Sequence, residues 1–167
     1  SKESGIPYTE GLMKNRYIHR TFILPERELR EQTLRMKLNP IRSQIKDKRV
    51  VLVDDTIVRS TTSKWIVRLL KRFGAREVHV RISCPPIKYQ CFMGIDFPTS
   101  RELIMSNRTI DQVRNIINAD SLKFNSIENL VQAIGFPREE LCLACLDRQY
   151  PFELDMDLKE LEAVFSR

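Results

Sequence analysis

The sequence predicts an α/β fold built on a parallel sheet, and three stretches carry that expectation. Residues 50–53 form an unbroken apolar run rich in Val that stops at Asp54 and Asp55. Such a run, bounded by polar turn residues, reads as a strand buried on both faces, the pattern of parallel sheets. Residues 63–73 place Trp65, Ile66, Leu69, Leu70 and Phe73 on one helical face and Lys64, Arg68, Lys71 and Arg72 on the other. Gly74 follows where a helix terminator is expected. Residues 77–83 alternate Val78, Val80 and Ile82 with His79 and Arg81, the period of a second strand.

A chain of 167 residues with 42% hydrophobic content is long enough for one domain with a sizeable core. Its 28 basic residues exceed its 22 acidic ones, giving a net charge of +6. That balance suits an anionic ligand. Nucleic acid is a second class of anion, but the basic residues are spread along the chain, apart from a richer stretch at 14–49. No basic motif interleaved with aromatics is present, so nucleic acid is not the expected partner. No run approaches the ~18 apolar residues of a membrane span. The first residues, Ser1-Lys2-Glu3-Ser4-Gly5, do not form a secretory signal, and without an initiator Met they read as an interior piece of a longer protein. A cytoplasmic location is therefore expected.

In chain order, residues 8–17 are polar and basic, with Gly11 as punctuation. Residues 20–24 are a short strand candidate. Pro25 opens a helix over 26–38, in which Arg27, Arg30, Glu31, Arg35 and Lys37 outnumber the apolar positions Leu29, Leu34, Met36 and Leu38. Asn39-Pro40 is a stop signal. Beyond Pro85-Pro86, helices are signalled at 100–105, at 109–117, where Thr109 and Gln112 have capping-box spacing, and at 126–134, ending at Gly135. Residues 155–167 read as a polar helix with Leu158, Leu161, Val164 and Phe165 on one face. Trp65 belongs to the core by its face. His79 and His19 have no acid beside them in sequence and are not expected to be catalytic.

The chemistry concentrates at 54–62. In open α/β sheets ligands sit at the carboxyl ends of the strands. Side chains alternate along a strand, so Asp54 and Asp55 point apart, one toward a sugar hydroxyl and the other toward a hydrated Mg²⁺. Residues 56–61 can curl so that N–H groups and hydroxyls converge on an anion, and the helix that follows adds its positive end. A plainer reading is an acidic capping turn after a core strand.

The four cysteines are Cys84, Cys91, Cys142 and Cys145. In a reducing compartment disulfides are rare, so metal binding is the sharper expectation for the C-x-x-C of Cys142 and Cys145. Zinc and an iron–sulfur cluster take the same thiolates. Buried apolar cysteines are the plainer alternative.

The string 50–62 resembles the phosphoribosylpyrophosphate (PRPP) signature of type I phosphoribosyltransferases. More narrowly, the chain resembles the transferase part of the glutamine phosphoribosylpyrophosphate amidotransferases from residue 1 to about residue 152. The runs at 11–18, 20–23, 35–39, 74–81, 83–86, 94–96 and 119–122 read like that family too. Two positions depart from it. Thr56 stands where Ser is commoner, and Ser60 stands where Gly is usual, so the backbone there carries a Cβ.

The resemblance implies a type I phosphoribosyltransferase-like α/β fold, a parallel sheet with flanking helices, N-terminally truncated, plus a C-terminal helical segment. Residues 1–90 would be a partial core with a flap (12–38) and the PRPP loop (50–62). Residues 91–152 would be a helical cap with the cysteines, and 153–167 a C-terminal helix. It implies PRPP binding by Asp54, Asp55, Thr56, Ile57, Val58, Arg59, Ser60, Thr61 and Thr62, with Lys14, Arg16 and Tyr17 as pyrophosphate contacts. Mg²⁺ would be held by Asp54 and Asp55, and a [4Fe–4S] cluster by Cys91, Cys142 and Cys145 with a fourth ligand upstream. Cys84 would be structural. The implied activity makes 5-phosphoribosylamine and pyrophosphate from PRPP and glutamine-derived ammonia, the first step of purine synthesis. The N-terminal glutaminase domain, with its nucleophilic cysteine, would lie outside this chain, and a homo-oligomer is implied. A non-catalytic PRPP- or nucleotide-sensing module is the alternative.

Overall fold

The structure is a computed structural model describing residues 1–15, 38–95, 100 and 102–151. The expected strand at 20–24, nearly all of the flap helix, Arg16, Tyr17, His19 and the helix at 155–167 lie outside the described residues.

Two sheets are present among the described residues. Strands β1 (Leu12–Lys14) and β2 (Leu38–Pro40) pair antiparallel as a small ribbon, with Leu12 opposite Pro40. The sequence reading expected no strand here, and three residues with a single Leu each give no alternation to read. A one-turn helix α1 (Arg42–Ile45) seats Ile45 in the core and leads to the main sheet.

That sheet is three parallel strands in the order β3 (Arg49–Asp54), β4 (Glu77–Ile82), β5 (Ser121–Phe124). Val50 lies opposite Val78, and Val80 opposite Leu122. Helix α2 (Thr61–Arg72) links β3 to β4, and helix α3 (Ile110–Ile117) precedes β5. Both helices pack on one face of the sheet and against each other. The apolar periods explain this. Ile66, Val67 and Leu70 of α2 and Val113 and Ile117 of α3 are buried against Val78, Val80, Ile82 and Leu122. Trp65 and Phe73 pack half-buried at the margin of this core, as their spacing indicates. Gly74 follows α2 with φ +95°, and a Cβ there would meet Lys46 Cγ at 3.1 Å, so the site favours glycine on two counts.

Strand β5 was not expected. Its side chains alternate only through Leu122 and Phe124, and four residues are too few for that signal to separate from a loop. It draws residues 110–124 into the sheet layer, whereas the sequence reading placed them in a helical cap. The capping box of α3 is formed as the spacing indicates: Gln112 N–H donates to Thr109 Oγ1 (3.2 Å) and Thr109 N–H to Gln112 Oε1 (2.9 Å). Helix α4 (Ile127–Ile134) is capped by Ser126 Oγ, which accepts from Asn129 N–H at 3.1 Å, and it ends at Gly135. Residues 102–106, by contrast, form turns where a helix was expected.

The opposite face of the sheet is open: Val51 and Val53 of β3 are exposed there, at 37% and 70%, so β3 is not buried on both faces as its apolar run predicts, and β4 sets a polar row beside them. Arg49 Nε donates to Glu77 Oε2 at 2.8 Å, and the same oxygen lies 2.9 Å from His79 Nε2. His79 Nδ1 lies 2.9 Å from Ser121 Oγ, which also accepts from Arg81 at 3.0 Å. His79 therefore does have an acidic partner, brought two residues away by the pleat of β4, which corrects the reading of it as unpaired. Asp120 ties β4 to the helices. Its Oδ2 accepts the Val78 N–H at 2.7 Å and lies 3.3 Å from Lys71 Nζ. The N–H bond first, and Lys71 after it, hold this carboxyl below its usual range despite some burial.

A second, smaller core lies beyond the strand ends. Ile87, Leu103, Leu143 and Leu146 are buried in it, with Val58, Cys84, Ile127, Leu130, Val131, Leu141 and Cys145 packed around them. Cys84 touches both cores. No helix among the described residues is long and apolar enough to cross a membrane.

Candidate functional site

Strand β3 delivers its acids to the carboxyl end of the sheet. The pairing with β4 continues past the strand: Ser83 N–H donates to Asp54 O (3.1 Å) and Cys84 N–H to Asp55 O (3.0 Å). Asp54 is half-buried and Asp55 exposed, as alternation requires. Asp55 N–H donates to Asp54 Oδ1 at 3.1 Å, and Thr56 N–H to Asp55 Oδ1 at 2.6 Å. Burial pushes the Asp54 carboxyl up, the Asp55 N–H partly offsets this, and the Asp55 charge pushes it further up. The raised value means Asp54 favours folding fully below its unfolded pKa of 3.8, and that contribution is lost as pH rises through its folded value. The strand end thus sets two carboxylates side by side, and among the described residues no ion pair reaches either of them. A hard cation taking one or two carboxylates fits that donor set.

The loop then turns back over the cores. Ile57 plugs into the first core at 3% exposure and Val58 leans on the second. Ser60 adopts φ +62°, ψ −15°, the left-handed conformation, and Lys64 N–H donates to its carbonyl at 2.8 Å to start α2. No side chain caps α2 among the described residues, and its first turn holds no acid. The N–H groups of that turn and the exposed hydroxyls of Thr61 and Thr62 thus surround the positive end of a twelve-residue helix, a ready anion site. A left-handed non-glycine residue costs roughly 1–2 kcal/mol. Replacing Ser60 with Gly therefore raises loop stability by about 1 kcal/mol. Thermal unfolding of the two proteins checks this, and an unchanged or lower Tm would contradict it.

Two further residues hold the loop, and sequence spacing did not single them out. Glu102 Oε2 accepts from Arg59 Nε at 2.8 Å and lies 2.7 Å from Arg59 Nη2. Ile104 N–H donates to Val58 O at 2.9 Å. Lys14 is exposed on the β1–β2 ribbon.

The cysteines meet in one neighbourhood. The segments at 84–92 and 141–150 are stitched together: Lys88 and Tyr89 N–H both donate to Cys145 O at 3.0 Å, and Tyr150 Oη donates to Gln90 O at 3.0 Å. The Phe92 and Tyr150 rings pack with centroids 5.4 Å apart. Burial first, then the nearby sulfurs of Cys84, Cys91 and Cys142, push the Cys145 thiol up to about 11. The thiols suit a soft metal or cluster in chemistry. Among the described residues, however, no three Cys, His, Asp or Glu side chains converge closely enough to hold an ion. Cys84, set aside from the ligand set, lies near Cys145 as well, and near Asp55 on its other side.

Known proteins align with this geometry. No family profile matches the chain. The amidophosphoribosyltransferase of Methanothermobacter thermautotrophicus is 51% identical over 166 residues, covering 99% of this chain and 35% of that protein. The one from Pyrococcus horikoshii is 56% identical over 149 residues, covering 89% of this chain and 32% of its own length. Among solved structures, glutamine phosphoribosylpyrophosphate amidotransferase from Bacillus subtilis, complexed with ADP and GMP, superposes with a TM-score of 0.80. It is 50% identical and covers 93% of this chain and 35% of its own. The chain thus spans about a third of the length of the relatives it matches. Sequence and structure together place the chain in the amidophosphoribosyltransferase family, as a segment equivalent to about a third of its members' length.

Proposed function

We propose that this chain is the PRPP-binding transferase portion of an enzyme that forms 5-phosphoribosylamine and pyrophosphate from PRPP and ammonia, the opening step of purine synthesis. The observation that carries the reading is the acid pair at the end of β3, Asp54 and Asp55, followed after residues 56–60 by an uncapped helix start. The 5-phosphate of PRPP sits on the N–H groups and hydroxyls of residues 56–62, where the α2 dipole favours a dianion. Asp54 and Asp55 accept from the ribose hydroxyls. The same two carboxylates would hold Mg²⁺, which when bound neutralises pyrophosphate charge. Ammonia forms a bond to the anomeric carbon, the bond to the pyrophosphate oxygen breaks with its electron pair, and the added nitrogen sheds a proton. The developing charge is oxocarbenium-like, as in glycosyl transfer generally. No side chain of this chain acts as nucleophile. Its contribution is positioning and preorganised charge. Lys14, Arg16 and Tyr17 would contact the pyrophosphate, and the 12–38 flap would exclude water.

Ammonia would come from glutamine at a glutaminase domain elsewhere in the polypeptide, in a cytoplasmic homo-oligomer. Cys91, Cys142 and Cys145 would hold a [4Fe–4S] cluster with a fourth ligand from outside the chain. When bound it ties the 84–92 and 141–150 segments covalently. The sulfur-rich neighbourhood supports this reading.

One experiment tests the proposal. PRPP is titrated with Mg²⁺ into a polypeptide of the relatives' length, ammonia is added, and pyrophosphate is measured, with iron and sulfide assayed on the same sample. Heat with pyrophosphate release is the expected result. Heat without release would make the chain a sensor of PRPP instead. Zinc in place of iron and sulfide would replace the cluster.

A further inference from the structure

We propose that Glu102 is a positioning residue for the anion loop, and that Arg59 serves as the loop's anchor through Glu102 and not as a phosphate ligand. The inference rests on the functional reading above, and it assigns Arg59 a different role from the one implied by the resemblance.

Between Asp55 and the start of α2 the loop has little regular structure of its own. Among the described residues, the short segment at 102–104 holds it from outside. Arg59 Nε donates to Glu102 Oε2 at 2.8 Å, and Nη2 lies 2.7 Å from the same oxygen in an ion pair. Two residues on, the Ile104 N–H holds the Val58 carbonyl at 2.9 Å. The side chain between these contacts, Leu103, is fully buried. It sits in the second core with Ile87, Leu143 and Leu146, and Val58 packs on the same core. The segment at 102–104 is thus rooted by an apolar side chain and grips the loop by an ion pair on one side and a backbone bond on the other.

Charge supports the same division of labour. A guanidinium held by a charge-assisted bond and a close ion pair to one carboxylate is committed in direction. An acid near a phosphate site would weaken anion binding if left alone, and pairing it with Arg59 cancels that field. The phosphate is then left to the uncapped N–H groups and the hydroxyls of Thr61 and Thr62, which carry no compensating acid in the first helical turn. Both partners are partly exposed, at 38% and 49%, so the pair acts by holding geometry, and its effect is correspondingly modest.

The two assignments for Arg59 predict opposite signs. If Glu102 anchors the loop, Glu102→Gln weakens PRPP binding about three- to fivefold, the loss falls on KM and not on kcat, and Glu102→Asp falls between. The charge-swapped double variant, Arg59→Glu with Glu102→Arg, recovers most of the loss because the ion pair re-forms. If Arg59 were a phosphate ligand, Glu102→Gln would free it and tighten PRPP binding, and the double variant would be the weakest of the set. Titration of PRPP with Mg²⁺ into the polypeptide of the relatives' length, with steady-state KM and kcat, reads all four proteins. Tighter binding in Glu102→Gln, or a double variant weaker than either single one, overturns the proposal. Amide exchange at Ile104 gives a readout that does not require PRPP. Faster exchange in Glu102→Gln supports the anchor even if the wild type takes up no PRPP, a result that would sink the functional reading alone. Unchanged exchange at Ile104 overturns the anchor whatever PRPP does.

Discussion

Replacing Asp54 and Asp55 together with Asn, in a polypeptide of the relatives' length, lowers ammonia-dependent pyrophosphate release by on the order of 10²–10³-fold. The substitution keeps the shape and one acceptor oxygen per side chain but removes both charges from the place where the proposed function seats a cation and a ribose. Asn retains one carbonyl per side chain, so substrate contact is thinned, while the cation loses its only charged ligands in the loop. The change separates chemistry from folding through its effect on stability. Asp54 is an acid whose burial disfavours its ionised form. A neutral amide at that position removes the penalty, so the unliganded double variant unfolds at the same temperature as the wild type or higher. Loss of turnover with Tm held assigns the acids to function. Unchanged turnover removes them from the mechanism, and a lowered Tm contradicts the account of Asp54.

Replacing Leu103 with Ala is the most damaging single change expected for the fold around the loop. Leu103 is fully buried in the second core among Ile87, Leu143 and Leu146. Truncating a buried Leu costs about 2–5 kcal/mol, the spread depending on how far the site collapses. The second core is small, with four buried side chains, so few neighbours can move in. The measurement is native-state hydrogen exchange at Leu146, Asp147 and Arg148, whose N–H groups bond within the turn at 143–148. At about 1.4 kcal/mol per tenfold, a loss of 2 kcal/mol speeds their exchange by at least about thirtyfold. Exchange unchanged at those amides would show that the second core is not the unit described.

Much of this is legible in the amino-acid sequence. The strand at 50–54 is readable as an apolar run cut off by two acids, and the helix after it and the alternating strand at 77–82 because each keeps one period over six residues or more. The Thr109–Gln112 box and the Gly74 and Gly135 stops were readable because capping has local chemistry. Strand β5 was not, since in four residues Ser121 and Lys123 serve a polar face and only two side chains mark the core. The turns at 102–106 stand where a helix over 100–105 is expected, and they carry the apolar Leu103, Ile104 and Met105. All three are buried, but by a loop wedged between two cores.

In the site, the acids and the loop were legible as a contiguous string. Their partners were not. Glu102 is 43 residues from Arg59, and Ser121 is 42 from His79, separations at which sequence offers no spacing rule. The C-x-x-C announced itself, but the approach of Cys84 to Cys145 depends on how the segments at 84–92 and 141–150 cross.

Isothermal titration of PRPP, with Mg²⁺ present, into the polypeptide of the relatives' length tests the central claim most directly. The account predicts saturable heat that disappears in the Asp54→Asn, Asp55→Asn double variant. Absence of heat in the wild type, or heat that the double variant retains, would contradict it.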